Sequence, residues 1–269
     1  MLIRLLLALV FIIISVKPLA KVPNVLFVIS DDQSYPHASA YGCRGINTPG
    51  FDRVAKNGVL FNNAISGSPG CSPSRASVLT GRYHWMIEHA GTHASTFNNK
   101  YFTFPDLLEK SGYWVGYTGK GWGPGKYKDG GFNRNPAGPI FSSKKKNSNI
   151  KGISSNDYSE NFNVFLNQKP EDKPFCFWLG GHEPHRVFEK GIALKRGKKL
   201  TDIDVPAFLP DTSEIRSDIL DYYVEIEWFD SHLAKILSKL DNMGAVSYTH
   251  LRAHETREDR VWRGVGEKK

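Results

Sequence analysis

Two short apolar runs, each closed by a cluster of ionisable side chains, constrain the fold of this chain more than any other feature. The first, Asn24-Val25-Leu26-Phe27-Val28-Ile29, leads through Ser30 into Asp31 and Asp32. The second, Pro174-Phe175-Cys176-Phe177-Trp178-Leu179-Gly180, leads into Gly181-His182-Glu183-Pro184-His185-Arg186. Unbroken apolar sequence of this length, rich in β-branched and aromatic residues, reads as strand buried on both faces of a parallel sheet. In open α/β sheets, ligand sites lie beyond the carboxyl ends of the strands. The polar clusters stand at those ends. A further strand, read over residues 113–119, ends in the same way at Lys120. The predicted class is therefore α/β, a mostly parallel sheet flanked by helices. With 269 residues, 40% of them hydrophobic, the chain is long enough for one large domain of that kind.

Between the strands the pattern turns helical. Residues 50–58 carry an apolar stripe at Phe51, Val54 and Ala55 and stop at Gly58, which predicts a short helix. Residues 59–64 read as another strand, residues 74–82 and 103–112 as helices. Over residues 217–240 the apolar positions Ile219, Tyr222, Tyr223, Ile226, Phe229, Leu233, Ile236, Leu237 and Leu240 recur at spacings of three and four. That broad stripe belongs to a core-facing helix.

Three groups of residues carry candidate chemistry. Asp31 and Asp32 repel each other unless a cation lies between them, which makes a hard divalent ion with oxygen ligands, calcium ahead of magnesium, the economical reading. An acid pair capping a helix is the alternative. Cys71, in Cys71-Ser72-Pro73-Ser74-Arg75, follows a loop rich in Gly, Ser and Pro and opens a helix, where amides and the helix dipole favour an anion. Taken alone it suits a half-buried loop thiol equally well. Arg75, one turn on, offers a planar fork of donors to a sulfate or to a carboxylate.

The first residues, basic at Arg4, apolar to Val16 and small at Ala20, describe a secretory signal peptide over residues 1–20, with an uncleaved anchor as the alternative. Export implies an oxidising compartment in which three cysteines leave at least one unpaired. Cys176 reads as a packed core thiol, and a Cys43–Cys176 disulfide stays open. The net charge of +8 suits an anionic partner. Much of it lies in Lys144-Lys145-Lys146 and Lys195-Arg196-Gly197-Lys198-Lys199, which read as solvated loops. The chain carries no recognisable nucleic-acid-binding motif, which together with export argues against nucleic acid.

In order along the chain, Asp31-Asp32, Cys71-x-Pro73-x-Arg75, Gly119-Lys120 and His182-x-Pro184-His185-Arg186 resemble the signatures of the formylglycine-dependent sulfatases of the alkaline phosphatase-like superfamily. The resemblance spans about residues 24–242 and is strongest to the sulfamidase branch, the heparan N-sulfatases, whose second strand runs into His-Asp-Pro-His-Arg. It implies that Cys71 is oxidised to formylglycine by a formylglycine-generating or sulfatase-maturing enzyme. It also implies a metal, calcium ahead of magnesium, held by Asp31, Asp32 and residue 71, and catalytic roles for Cys71, Arg75, Lys120, His182 and His185. Many members place a histidine two residues after the lysine. Here that position is Trp122, so its role does not carry over.

The activity implied is hydrolysis of a sulfate ester or sulfamate on a sulfated glycan or glycosaminoglycan by an exported protein, periplasmic, secreted or lysosome-like, with no stable membrane anchor. The alternatives are a phosphate or phosphonate monoester hydrolase of the same superfamily, a non-catalytic binder of sulfated glycans, and a fragment that does not fold. After Gly244 the resemblance stops, and the sequence is expected to continue without a strand. The domain reading is a leader over residues 1–20, an incomplete sulfatase N-terminal catalytic domain over 21–244, and a foreign or disordered tail over 245–269.

Overall fold

The computed structural model describes residues 22–246 and 249–254. The predicted leader lies outside the described residues. Four parallel strands form the sheet: β1 (Asn24–Ile29), β2 (Trp114–Gly119), β3 (Phe175–Gly180) and β4 (Thr249–His254), in the order β2-β3-β1-β4. The helices are α1 (Pro49–Asn57), α2 (Cys71–Thr80), α3 (Phe104–Lys110), α4 (Tyr158–Gln168), α5 (Ile192–Lys195) and α6 (Ser213–Asn242). The α/β class is as the sequence predicts.

The apolar runs are covered on both faces because successive side chains point to opposite sides. On one face, Leu26 and Val28 of β1 and Phe175, Phe177 and Leu179 of β3 meet Phe162 and Phe165 of α4 and Phe229, Leu233 and Ile236 of α6. On the other, Phe27, Ile29, Tyr117 and Trp178 meet Ala76 and Leu79 of α2 together with Ile87, Phe97 and Trp122. The register places Phe27 beside Trp178, their rings 4.6 Å apart. The amino-terminal half of α6 closes a third cluster, in which Ile215, Ile219 and Tyr222 pack with Ile46, Ile192 and Ile203. Gly116 in β2 gives space to this packing, since a Cβ there would come within 2.6 Å of Phe141 and 2.8 Å of Phe165.

Two expectations are corrected and one open alternative is closed. Residues 59–64 form no strand; Val59 and Phe61 are exposed, and none of the sheet's strands lies alongside to complete a ladder. A strand does follow Gly244, where β4 pairs with β1 from Asn24↔Thr249 to Ile29↔His254. No disulfide forms, and all three cysteines are free thiols. Cys176 is the packed thiol expected of it, with burial pushing its pKa up to about 12. Helix α6 is longer than the apolar stripe because Thr212 caps it, accepting from the Ile215 amide at 3.3 Å. Of the basic loops, Lys195 and Lys198 pair with Glu189 and Glu227. Among the described residues no helix is long and apolar enough to cross a membrane.

Candidate active site

The ends of three strands are tied together by backbone hydrogen bonds. The Asp31 amide donates to Glu183 O at 2.9 Å, the Gly181 amide to Ile29 O at 2.8 Å, and the Lys120 amide to Gly180 O at 2.9 Å. Gly119 permits the last of these approaches. Its φ is 72°, and a Cβ would stand 2.0 Å from Gly180 O. Polar residues that follow three separate strands in sequence therefore converge on one edge of the sheet.

Asp31 is the centre of this edge and is 1% exposed. Its Oδ1 accepts from Arg75 Nη2 at 3.2 Å and its Oδ2 from Lys120 Nζ at 2.5 Å. Burial opposes the charge of this carboxylate, but Arg75 and then Lys120 outweigh it and hold the pKa below the usual value. Arg75 is fully buried and also donates from Nη1 to Lys120 O at 2.7 Å and to Gly121 O at 3.2 Å. The guanidinium fork thus ties α2 to the ends of β1 and β2. Because Arg75 is four residues beyond Cys71 on α2, the two side chains share a helix face.

The two histidines sit at different points. His182 is exposed, its backbone amide donating to Tyr158 OH at 3.0 Å. Partial desolvation, then the charge of Lys120, lower the pKa of its imidazole, with Asp31 acting in the opposite direction. His185 directs Nε2 toward Asp32 Oδ2 at 3.7 Å, while its Nδ1 lies 2.7 Å from Arg186 O. Asp32 itself adopts a left-handed backbone conformation, φ 64°, uncommon outside glycine but best tolerated by Asp and Asn.

Cys71 opens α2 and is 5% exposed. Its Sγ lies 3.6 Å from Nε2 of His93, a residue that no sequence pattern singles out. The segment carrying His93 is pinned to the same helix, with the Ala94 amide donating to Ser72 Oγ at 3.1 Å. Trp122, in the place where the family resemblance leads one to look for a histidine, is buried and donates from Nε1 to Ser72 O at 3.0 Å. It anchors the Cys71 helix.

Mutual repulsion of Asp31 and Asp32 is the physical ground for a metal between them, beside the family resemblance. In the structure, Arg75 and Lys120 already compensate Asp31, and His185 faces Asp32. Among the described residues no three His, Cys, Asp or Glu side chains converge to hold an ion. Calcium takes six to eight oxygens, so these residues alone do not make its shell.

Beneath the His182–His185 loop lies a buried pair of acids. Glu183 accepts from Tyr158 OH at 2.7 Å and from the Ser154 amide at 2.8 Å, whereas neither oxygen of Glu225 on α6 has a hydrogen-bond partner. Burial and then the charge of Glu183 push the Glu225 carboxyl up from 4.5 to about 9, against the weaker pull of Arg186. Because the folded value lies above the unfolded one, the stabilising form is the neutral acid. That contribution is complete below 4.5 and is lost as pH rises toward about 9. Glu225→Gln is expected to flatten this decline, with its stability gain over the parent growing by up to about 1.4 kcal/mol per pH unit inside that window. Urea denaturation at a series of pH values measures it; a gap independent of pH would refute the assignment.

A family model described as Sulfatase matches residues 23–247. The N-acetylglucosamine-6-O-sulfatase of Bacteroides thetaiotaomicron is 32% identical over 184 residues, covering 63% of this chain and 32% of that protein. The N-sulphoglucosamine sulphohydrolase of Homo sapiens is 27% identical over 263 residues, covering 86% of this chain and 49% of that one. The chain thus spans between about a third and a half of these two relatives. Among solved structures, a complex with D-glucosamine-2-N,6-O-disulfate as substrate superposes with a TM-score of 0.67 at 18% identity, covering 88% of this chain and 66% of that one. The phosphonate monoester hydrolase of Agrobacterium radiobacter also gives 0.67, at 18% identity, with coverages of 87% and 62%. At such identities these two likenesses concern the fold.

Proposed function

This chain belongs to the sulfatase family, and from that premise we propose that it hydrolyses sulfate esters or sulfamates on sulfated glycans, with residue 71, as formylglycine, supplying the nucleophile. The observation that carries the proposal is the buried Arg75–Asp31–Lys120 cluster, reached one helical turn from Cys71. A sulfuryl group approached by residue 71 gathers negative charge on its oxygens, and fixed donors in a site screened from water stabilise such charge strongly. Arg75 and Asp31 hold the framework, Lys120 stands 15% exposed at its mouth, and His182 and His185 line the adjoining loop. Holding the sulfuryl group against residue 71 also lowers the entropic cost of the encounter.

N-sulfated glucosamine units are the first substrate class and O-sulfated glycans the second, in keeping with the His182-Glu183-Pro184-His185-Arg186 passage and with the names of the relatives. Calcium is the proposed ion, with Asp31, Asp32 and residue 71 as part of its shell. A formylglycine-generating or sulfatase-maturing enzyme is the proposed partner in modification. Export, to periplasm, extracellular space or a lysosome-like compartment, rests on the leader reading of residues 1–20, and the domain limits at residues 21–244 and 245–269 stand as proposals with it.

The test is peptide mass spectrometry after co-expression with a formylglycine-generating enzyme, followed by parallel assays on N-sulfated, O-sulfated and phosphate esters. The expected result is a loss of about 18 Da on the peptide containing residue 71, with sulfate released in preference to phosphate. An unmodified thiol, or preferential release of phosphate, would overturn the proposal.

A further inference from the structure

We propose that His93 is the catalytic residue that moves the proton of the residue 71 hydroxyl when sulfate is expelled and the aldehyde is restored. The inference rests on residue 71 being formylglycine, as proposed above. In the structure, Cys71 Sγ marks the place of an oxygen on Cβ of that residue, and His93 Nε2 lies 3.6 Å from it. Of the other histidines of the site, His185 directs Nε2 toward Asp32, and His182 follows β3 with its backbone amide bonded to Tyr158 OH. The position two residues after Lys120 is taken by Trp122, whose indole is committed to Ser72 O. Among the described residues, His93 is the imidazole in hydrogen-bond contact with residue 71.

The placement is built rather than incidental. Ala94 holds φ 55°, a conformation that costs a non-glycine residue of order 1 kcal/mol or more and persists where the surroundings enforce it. Here the Ala94 amide is fixed to Ser72 Oγ at 3.1 Å, and Ser95 O accepts from the Lys126 amide at 2.8 Å. Gly70 borders the ring, a Cβ there lying 3.9 Å from His93 Cδ2. His93 is exposed, so a proton it takes up can pass to solvent.

In the step assigned to it, His93 Nε2 takes the proton from the free hydroxyl on Cβ of residue 71. The electrons of that O–H bond form the carbonyl as the bond from Cβ to the sulfate oxygen breaks, and sulfate departs with that bonding pair. Water then adds to the carbonyl to regenerate the hydrate, and His93 releases its proton to solvent.

The aldehyde–hydrate exchange can be read without substrate. In water enriched in heavy oxygen, the matured protein is quenched with borohydride at intervals and the residue 71 peptide is weighed for a gain of about 2 Da. His93→Asn and His93→Gln are expected to slow the exchange at least about tenfold, the lower end of what a positioned acid–base group contributes once background exchange is allowed for. Free imidazole should restore it, which a purely structural role for His93 would not predict. With substrate, both variants should accumulate sulfate on residue 71. An aldehyde whose exchange changes less than about twofold, or slows without rescue by imidazole, overturns this inference and leaves the proposed function standing. A thiol at residue 71 overturns both.

Discussion

Cys71→Ala is expected to reduce sulfate release by a factor on the order of 10⁴ or more, the scale on which removal of a covalent nucleophile acts in hydrolases. Alanine lacks the atom at which an oxygen can be installed, so neither formylglycine nor its hydrate can form. The fold should tolerate the change. Cys71 is 5% exposed and its side-chain hydrogen bond goes to exposed His93, so only a small buried sulfur is lost. That costs about 1 kcal/mol. Steady-state sulfate release together with thermal melting separates the two effects. Binding of sulfated glycan that survives while turnover disappears fits this reading; turnover within tenfold of the parent would remove residue 71 from the chemistry.

Arg75→Met should act mainly on the fold, destabilising it by about 3–5 kcal/mol, the cost of removing one partner from a buried ion pair. Arg75 is the fully buried cation beside Asp31, itself 1% exposed, and it also serves the carbonyls of Lys120 and Gly121. Methionine fills much of the volume and leaves the carboxylate with Lys120 as its remaining charged partner. Arg75→Lys should recover part of the loss, since an ammonium supplies charge without the planar fork. Arg75→Met with Asp31→Asn should be less destabilised than the sum of the two single changes, because the pair interacts directly. Urea midpoints for the four proteins measure the coupling. Additive effects would mean that the ion pair does not organise the site.

If both results hold, Arg75 and Cys71 divide the work of α2 between them. Its first residue carries the proposed chemistry, and its fifth locks the helix to the strand ends that carry Asp31 and Lys120. The same division explains why Trp122 is buried at the position where the family resemblance points to a histidine. Its indole closes the helix onto the loop after β2, and the imidazole that contacts residue 71 arrives from another segment.

The sequence by itself determined β1, β2, β3 and most of the helices, but not β4. Asn24–Ile29, Trp114–Gly119 and Phe175–Gly180 are legible because a strand covered on both faces needs an unbroken apolar run, and α6 because its stripe repeats at helical spacing. Cys71 and Arg75 are legible as a pair because they lie four apart on one helix. Residues 59–64 misled, since an apolar pattern licenses a strand only where another strand offers its backbone, and no strand of the sheet does so there. Tertiary structure alone decided what neutralises Asp31. The partners come from 44 and 89 residues away, and no local period connects them. It alone brought His93 to Cys71, through a loop whose path is set by hydrogen bonds to Ser72 and Lys126 rather than by any repeat in the chain. Periodicity records which face of an element is buried; it carries no information about which distant side chain will stand opposite.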